Sequence, residues 1–320
     1  MNSDSEKQDN SAAPIFLCGP LRSGTTVLGL MLAYHPCINA PGEYDFIFDY
    51  LYKDNGEKTS NEEFSRLLKL DRVYNQSGLH FSKDEEPAVT VRGFIDQLTI
   101  ESKINVINLH RHFYRVPEII PDARFIHILR DPRDVARSAI GMGWAGNVYH
   151  GLEFWEKSEC DWQELESTLR SEQYIQVRFE DIITDTREVL TEICRFLGLE
   201  YNDQMLDYPQ YTTYDLPDPS LVYQWKRKQT RKEVQLLEYR LGRELEKMGY
   251  ENSGYPPYIP NNFELLYLDV QNRIFKYKFR IRRYGLRLFV FEFLSRKLGL
   301  NAWNERLIKK INEVDMHYLK

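Results

Sequence analysis

Ile15-Phe16-Leu17-Cys18-Gly19-Pro20-Leu21-Arg22-Ser23-Gly24-Thr25-Thr26 decides how the rest of this 320-residue chain is read. Four apolar residues without polar alternation are what a strand buried on both faces requires, and Gly19 ends the run. Beyond Gly24, the residues Val27, Leu28, Leu30, Met31 and Leu32 recur at helical spacing. That pattern predicts a helix from Thr25 to Tyr34, stopping before Pro36. Strand, glycine loop and helix in that order place free backbone N–H groups at a helix N-terminus, a ready site for an anion.

Working outward, three more segments read as strands: Ile104 to Leu109, Phe125 to Leu129, and Tyr174 to Arg178. Residues 43–100 are mixed and mainly helical. Further helices are expected over about 152–171 and 186–198, the second closed by Gly198. Asp131-Pro132 starts another after the third strand. Strands alternating with helices predict an α/β fold of three layers, a central parallel sheet flanked by helices. In such sheets ligands bind beyond the C-terminal strand ends, where Arg22 and Arg130 fall. Residues 1–13 are expected to be a disordered tail and 14–254 one domain. Within it, 202–220 forms an ordered loop and 231–248 a polar amphipathic helix. Tyr255-Pro256-Pro257-Tyr258 then breaks the chain, and 255–320 forms a helical C-terminal extension.

Composition narrows the function. The net charge of −6 supplies no global basic field, so nucleic acid is not an expected partner. Cys18, Cys37, Cys160 and Cys194 form no C-x-x-C and no zinc-ligand spacing. They read as reduced core or near-core thiols, and no metal is expected. The polar N-terminus has no apolar signal-peptide core, and no uncharged stretch reaches spanning length, which predicts a cytoplasmic protein.

The loop excludes one chemistry. A nucleotide P-loop reads G-x-x-x-x-G-K-[ST], its lysine reaching the β- and γ-phosphates. Gly19 and Gly24 keep the glycine spacing, but Thr25 stands in the lysine position. A triphosphate and its metal are poorly served there. Backbone N–H groups, Arg22 and the hydroxyls of Ser23, Thr25 and Thr26 suit a single phosphate carrying an attached oxyanion.

Residues 14 to 32 resemble the 5′-phosphosulfate loop of the sulfotransferases that use 3′-phosphoadenosine-5′-phosphosulfate (PAPS). The run from Phe125 through Arg130-Asp131-Pro132 to Ser138 is similar to that family's 3′-phosphate signature. Val177-Arg178-Phe179-Glu180-Asp181 resembles a third family segment, and Gln224-Trp225-Lys226-Arg227-Lys228 looks like the mobile loop covering the donor. The resemblance spans roughly residues 14 to 250. It is nearer the bacterial, glycan and protein-tyrosine type than the cytosolic small-molecule type, and it implies a P-loop NTPase-like fold. It also implies that Arg22, Ser23, Gly24, Thr25 and Thr26 hold the phosphosulfate and that Arg130 and Ser138 hold the 3′-phosphate. Phe179 would stack on adenine, and Lys226 and Arg227 would cover the donor.

The proton of an acceptor hydroxyl needs a base. Glu43, in Gly42-Glu43, corresponds to the glutamate base of the protein-tyrosine and glycan branch, and Tyr44, Phe46 and Phe48 are expected to desolvate it. His110 is the alternative base, as in the cytosolic branch. The sequence departs from the family at Asn108, aligned with a lysine that touches the transferring group. Two other readings stay open: a P-loop-type kinase, which Thr25 opposes, and a nucleotide-binding module without catalysis, which Asn108 would suit. The acceptor reads as a glycan, a glycolipid head group or a polar metabolite. The basic, aromatic stretch 262–311 is expected to pack on the core or on a second copy, with weak contact to a membrane surface as the alternative.

Overall fold

The computed structural model describes residues 13–318, so the tail expected over 1–13 lies, except for Ala13, outside the described residues. Five strands form one all-parallel sheet: β1 (Ile15–Cys18), β2 (Ile38–Glu43), β3 (Ile104–Leu109), β4 (Arg124–Leu129) and β5 (Tyr174–Arg178). Their order is β2-β3-β1-β4-β5. β1 is central, with Leu17 in register with Asn108 on one side and Ile126 on the other.

The unbroken apolar run of β1 serves two cores, because successive side chains leave opposite faces of a strand. Phe16 and Cys18 join Phe48, Phe125 and Trp162 on one face. Ile15 and Leu17 join Leu28, Leu32, Ile126 and Ile193 on the other. Helix α1 (Thr25–Ala33) covers that second face and ends at Tyr34. The expected three layers are therefore present. Gly198, in the left-handed conformation (φ 78°), closes the helix Thr186–Leu197.

The topology positions the site. From β1 the chain crosses over β3 to reach β2, whereas from β4 it proceeds to β5. Neighbouring strands whose connections leave in opposite directions open a crevice at their C-terminal ends. The loop after β1 carries Arg22, and Arg130 directly follows β4.

Four sequence expectations are corrected. β2 was not foreseen, because Ile38-Asn39-Ala40-Pro41-Gly42-Glu43 has no apolar run. It is an edge strand with a register irregularity between Asn39 and Gly42, a place where proline is tolerated. The helix expected over 231–248 breaks at Gly242 (φ 54°) into Arg231–Leu241 and Glu244–Lys247. The helix expected over 152–171 spans only Glu153–Glu166. Finally, Cys18 and Cys194 are buried free thiols as expected, but Cys37 and Cys160 are exposed.

The C-terminal stretch folds as three helices, Asn262–Tyr284, Leu286–Lys297 and Asn301–Tyr318. The first docks on the turn after the helix Pro132–Gly141. Asn272 accepts from the Gly146 N–H at 2.7 Å, and Asn147 donates to the Leu268 carbonyl at 2.9 Å. A β-carbon on Gly143 would meet the Phe279 ring at 2.3 Å, and one on Gly146 would meet the Asn272 backbone at 2.7 Å, so glycine permits the approach. No helix among the described residues is long and apolar enough to cross a membrane.

Candidate active site

The loop from Gly19 to Gly24 departs from ordinary backbone at two points. Arg22 (φ 74°) and Gly24 (φ 97°) both lie in the left-handed region. For arginine this costs about 1–2 kcal/mol, strain of the kind that collects at functional sites. Gly24 caps α1 without a side-chain bond, which leaves the first-turn N–H groups facing outward for an anion. Replacing Gly24 would be blocked twice over, since a β-carbon there would lie 2.4 Å from the Phe179 ring.

The three loop hydroxyls are already engaged. Ser23, fully buried, donates to the Pro20 carbonyl at 2.6 Å and so holds the loop's own shape. Thr25 Oγ1 lies 2.9 Å from His110 Nε2, and Thr26 donates to Glu43 Oε1 at 2.8 Å. Thr25 and Thr26 thus tie the start of α1 to both residues proposed to handle the proton. Glu43 Oε1 is 3.9 Å from His110 Nε2, so the two candidates occupy one cluster.

Their surroundings differ. The Glu43 side chain is 45% exposed, that of His110 1%. The desolvating ring of aromatics expected around Glu43 is not there. Phe46 and Phe48 point into the core, against Phe94 and Phe16, because the chain turns into a short helix at Phe46. His110 is held by Asp45, whose carboxylate lies 2.9 Å from Nδ1 and accepts the His110 backbone N–H at 2.6 Å. Burial favours neutral His110, but the Asp45 charge and hydrogen bond, with Glu43, outweigh it and raise its pKa above 6.5. Despite its own burial, Asp45 is correspondingly held below the usual carboxylate range by His110 and Arg111.

Asp45 was missed from sequence. A second acid two residues after Glu43 carries no signal of its own, and its partner comes from a strand 65 residues away. Asn108 lies beneath α1, its Nδ2 donating to the Thr25 carbonyl at 3.3 Å and packing against Gly29. It therefore supports the loop from below. His112 is a strand-end residue whose backbone N–H bonds Asp161.

On the other side of the crevice, Arg22 Nε donates to Ser138 Oγ at 3.0 Å. Arg130 Nη1 donates to the Arg22 carbonyl at 2.7 Å and Nη2 to the Leu221 carbonyl at 3.2 Å. Ser138 comes from the helix Pro132–Gly141, whose cap Asp131 accepts the Arg133 N–H at 2.9 Å. Arg130 is 9% exposed, and its Nε has no partner. Burial presses its pKa down, opposed by Asp134 and Glu180. Its guanidinium lies 3.9 Å from the centre of the Phe179 ring. That ring is itself buried between Arg130 and Gly24, so it braces Arg130 and the loop instead of offering an open stacking face.

Lys226 and Arg227 turn to their own segment. Lys226 Nζ lies 4.9 Å from the Tyr223 ring centre, and Arg227 bonds the Ser220 carbonyl. Their helix is moored by the Gln224 and Trp225 N–H groups on Asp134, at 3.1 and 2.7 Å. Among the described residues, no group of three or more potential metal ligands is gathered.

The model of the sulfotransferase family matches residues 14–203, well over half of the chain. The chain belongs to this family. The match covers all five strands and every group of the crevice except the 219–228 segment. A protein-tyrosine sulfotransferase of Drosophila melanogaster is 25% identical over 211 residues, 62% of this chain and 40% of that protein. A 3-beta-hydroxysteroid sulfotransferase of Cavia porcellus is 25% identical over only 126 residues, 33% of this chain and 42% of that protein. The longer match agrees with the expected affinity for the protein-tyrosine branch. The chain spans less than half the length of either relative. Among solved structures, the sulfotransferase domain from the curacin biosynthetic pathway shares the fold, with a TM-score of 0.53 and 21% identity. That match covers 75% of this chain and 98% of the domain.

Proposed function

We propose that the chain transfers a sulfuryl group from PAPS to an acceptor hydroxyl, releasing adenosine 3′,5′-bisphosphate, and does so in the cytoplasm without a metal. The observation that carries this reading is Arg130. It is a buried guanidinium at a strand end, two of its five N–H groups bonded to carbonyls, Nη2 3.8 Å from Asp134 and Nε without a partner, beside the Arg22–Ser138 pair. A buried cation with a spare donor fits a compact dianion, and a 3′-phosphate is one. The start of α1 and Arg22 supply the second anion site, for the 5′-phosphosulfate, with Thr25 in place of a triphosphate-binding lysine.

The protein's part in the chemistry follows from the cluster opposite. As the acceptor oxygen bonds to sulfur and the sulfur–phosphate oxygen bond breaks, a proton must leave the acceptor and charge must build on the phosphate side. Glu43 is open to solvent and fixed by Thr26, so it is the group able to meet an acceptor and take the proton. His110, buried against Thr25 and favoured as a cation by Asp45, stabilises the departing charge. The acceptor is a hydroxyl of a glycan, glycolipid head group or polar metabolite, with 44–100 and 202–220 as the proposed walls.

Titration calorimetry with adenosine 3′,5′-bisphosphate in EDTA tests the donor half. Saturable binding is expected, and absence of heat with folded protein would sink the assignment. The pH dependence of kcat separates the two roles. If His110 acts as a cation, kcat falls as pH rises through its raised pKa, above 6.5, and that limb is absent in His110→Gln. A kcat that climbs over the same interval would make His110 the base.

A further inference from the structure

The helix Leu286–Lys297 is packed inside out. Its buried positions are Glu292 and Ser295. Glu292 accepts from Arg280 at 2.8 Å and pairs with Arg296 at 3.2 Å, while Ser295 accepts from Asn304 at 3.0 Å. The outward row is Leu286, Leu294 and Leu298, with half-buried Val290 between them and exposed Phe291 beside it. Leu286 is 62% exposed and Leu298 66%. A soluble helix hides its apolar stripe and shows its polar one. This one spends its polar residues on internal bonds and turns leucines outward, which makes sense if another apolar medium receives them.

Charge says which medium. Between residues 273 and 310 the chain has twelve arginines and lysines and two acids, Glu292 and Glu305, while its net charge is −6. Both acids are already taken within the chain, Glu292 as described and Glu305 by Arg66 at 2.8 Å. A second copy would bring the same excess of cations to the same face. Arg287 and Lys297, both exposed, flank the leucine row. Trp303, 37% exposed, packs beside Phe291 with ring centres 5.6 Å apart. A helix of twelve residues is about 18 Å long, too short to span a bilayer but long enough to lie in its interface.

We propose that this outward face, with its rim of arginine and lysine, docks the protein on an anionic membrane surface. The partner is a layer of acidic phospholipid head groups over acyl chains, engaged by leucine insertion and by cation–phosphate contact together.

Vesicle co-sedimentation of the full chain tests this. Binding is expected to phosphatidylcholine vesicles containing phosphatidylserine, to weaken with added salt, and to be far weaker to phosphatidylcholine alone. Leu294→Asp, and separately the pair Arg287→Gln with Lys297→Gln, should each lower the bound fraction about tenfold or more. These side chains face solvent, so the thermal unfolding of the variants should match that of the wild type. Bromine-labelled acyl chains should quench fluorescence in the wild type and not in Trp303→Phe. Absence of binding to the acidic vesicles, equal binding to both kinds, or quenching that survives in Trp303→Phe overturns the proposal. So does a concentration-dependent dimer in sedimentation velocity that Leu294→Asp abolishes, because a second copy would then own the face.

Discussion

Glu43→Gln is expected to lower kcat by at least about a hundredfold, the scale of a lost general base, while adenosine 3′,5′-bisphosphate binds as before. The substitution keeps the shape and the oxygen that accepts from Thr26. It removes only the capacity to take a proton. The bond to Thr26 reaches the loop that is proposed to hold the donor, so an alanine would confound two effects, and glutamine separates them. Single-turnover assays with labelled PAPS and calorimetry on the same preparation check both halves. Turnover near the wild-type rate would remove Glu43 from the chemistry and leave the Asp45–His110 pair as the remaining base.

Arg130→Lys is expected to weaken adenosine 3′,5′-bisphosphate binding by about a hundredfold or more, the scale of a lost buried charge-assisted pair. Lysine keeps the charge but loses the planar fork. It cannot reach the Arg22 and Leu221 carbonyls together and still present a donor to a ligand. It also loses much of the flat contact with Phe179. The loss should exceed that for Arg22→Lys, because Arg22 is exposed and a lysine there stays hydrated and mobile. Calorimetry on the two variants side by side gives the comparison. An Arg130→Lys affinity equal to wild type would show that the buried guanidinium is structural only.

What the sequence made legible follows from burial. β1, β3 and β4 announce themselves because inner strands covered on both faces are largely apolar, and Phe16 and Leu17 belong to different cores. β5, an edge strand, was legible despite Gln176 and Arg178 because Tyr174, Ile175 and Val177 favour strand. β2 was silent because an edge strand with one neighbour tolerates Pro41 and Gly42. Arg22 and Arg130 were readable because each follows closely on a strand, and Ser138 because it lies at a fixed spacing after Arg130 on the next helix. Asp45 was not, since its role exists only once β2 lies beside β3. Phe46 and Phe48 misled for the opposite reason: nearness in sequence to Glu43 became separation in space when the chain turned inward at Phe46. The inside-out helix 286–297 shows the same limit. Its composition reads as generic amphipathic tail, and only the contacts of Glu292 and Ser295 reveal which side faces home.

The Phe179 ring, pressed between Gly24 and Arg130, sets a rule for how this protein can change over time. Position 24 cannot gain even a methyl group while a ring stands at 179, and its left-handed backbone would resist the gain in any case. Position 179 cannot lose its ring without taking the support from beneath Arg130. The ring therefore closes position 24 to change, and its loss would leave Arg130 without that contact. Drift is free at the exposed walls where an acceptor would sit. At this three-residue contact it is locked, and a descendant of this chain that takes a new acceptor would be expected to carry Gly24, Phe179 and Arg130 forward together.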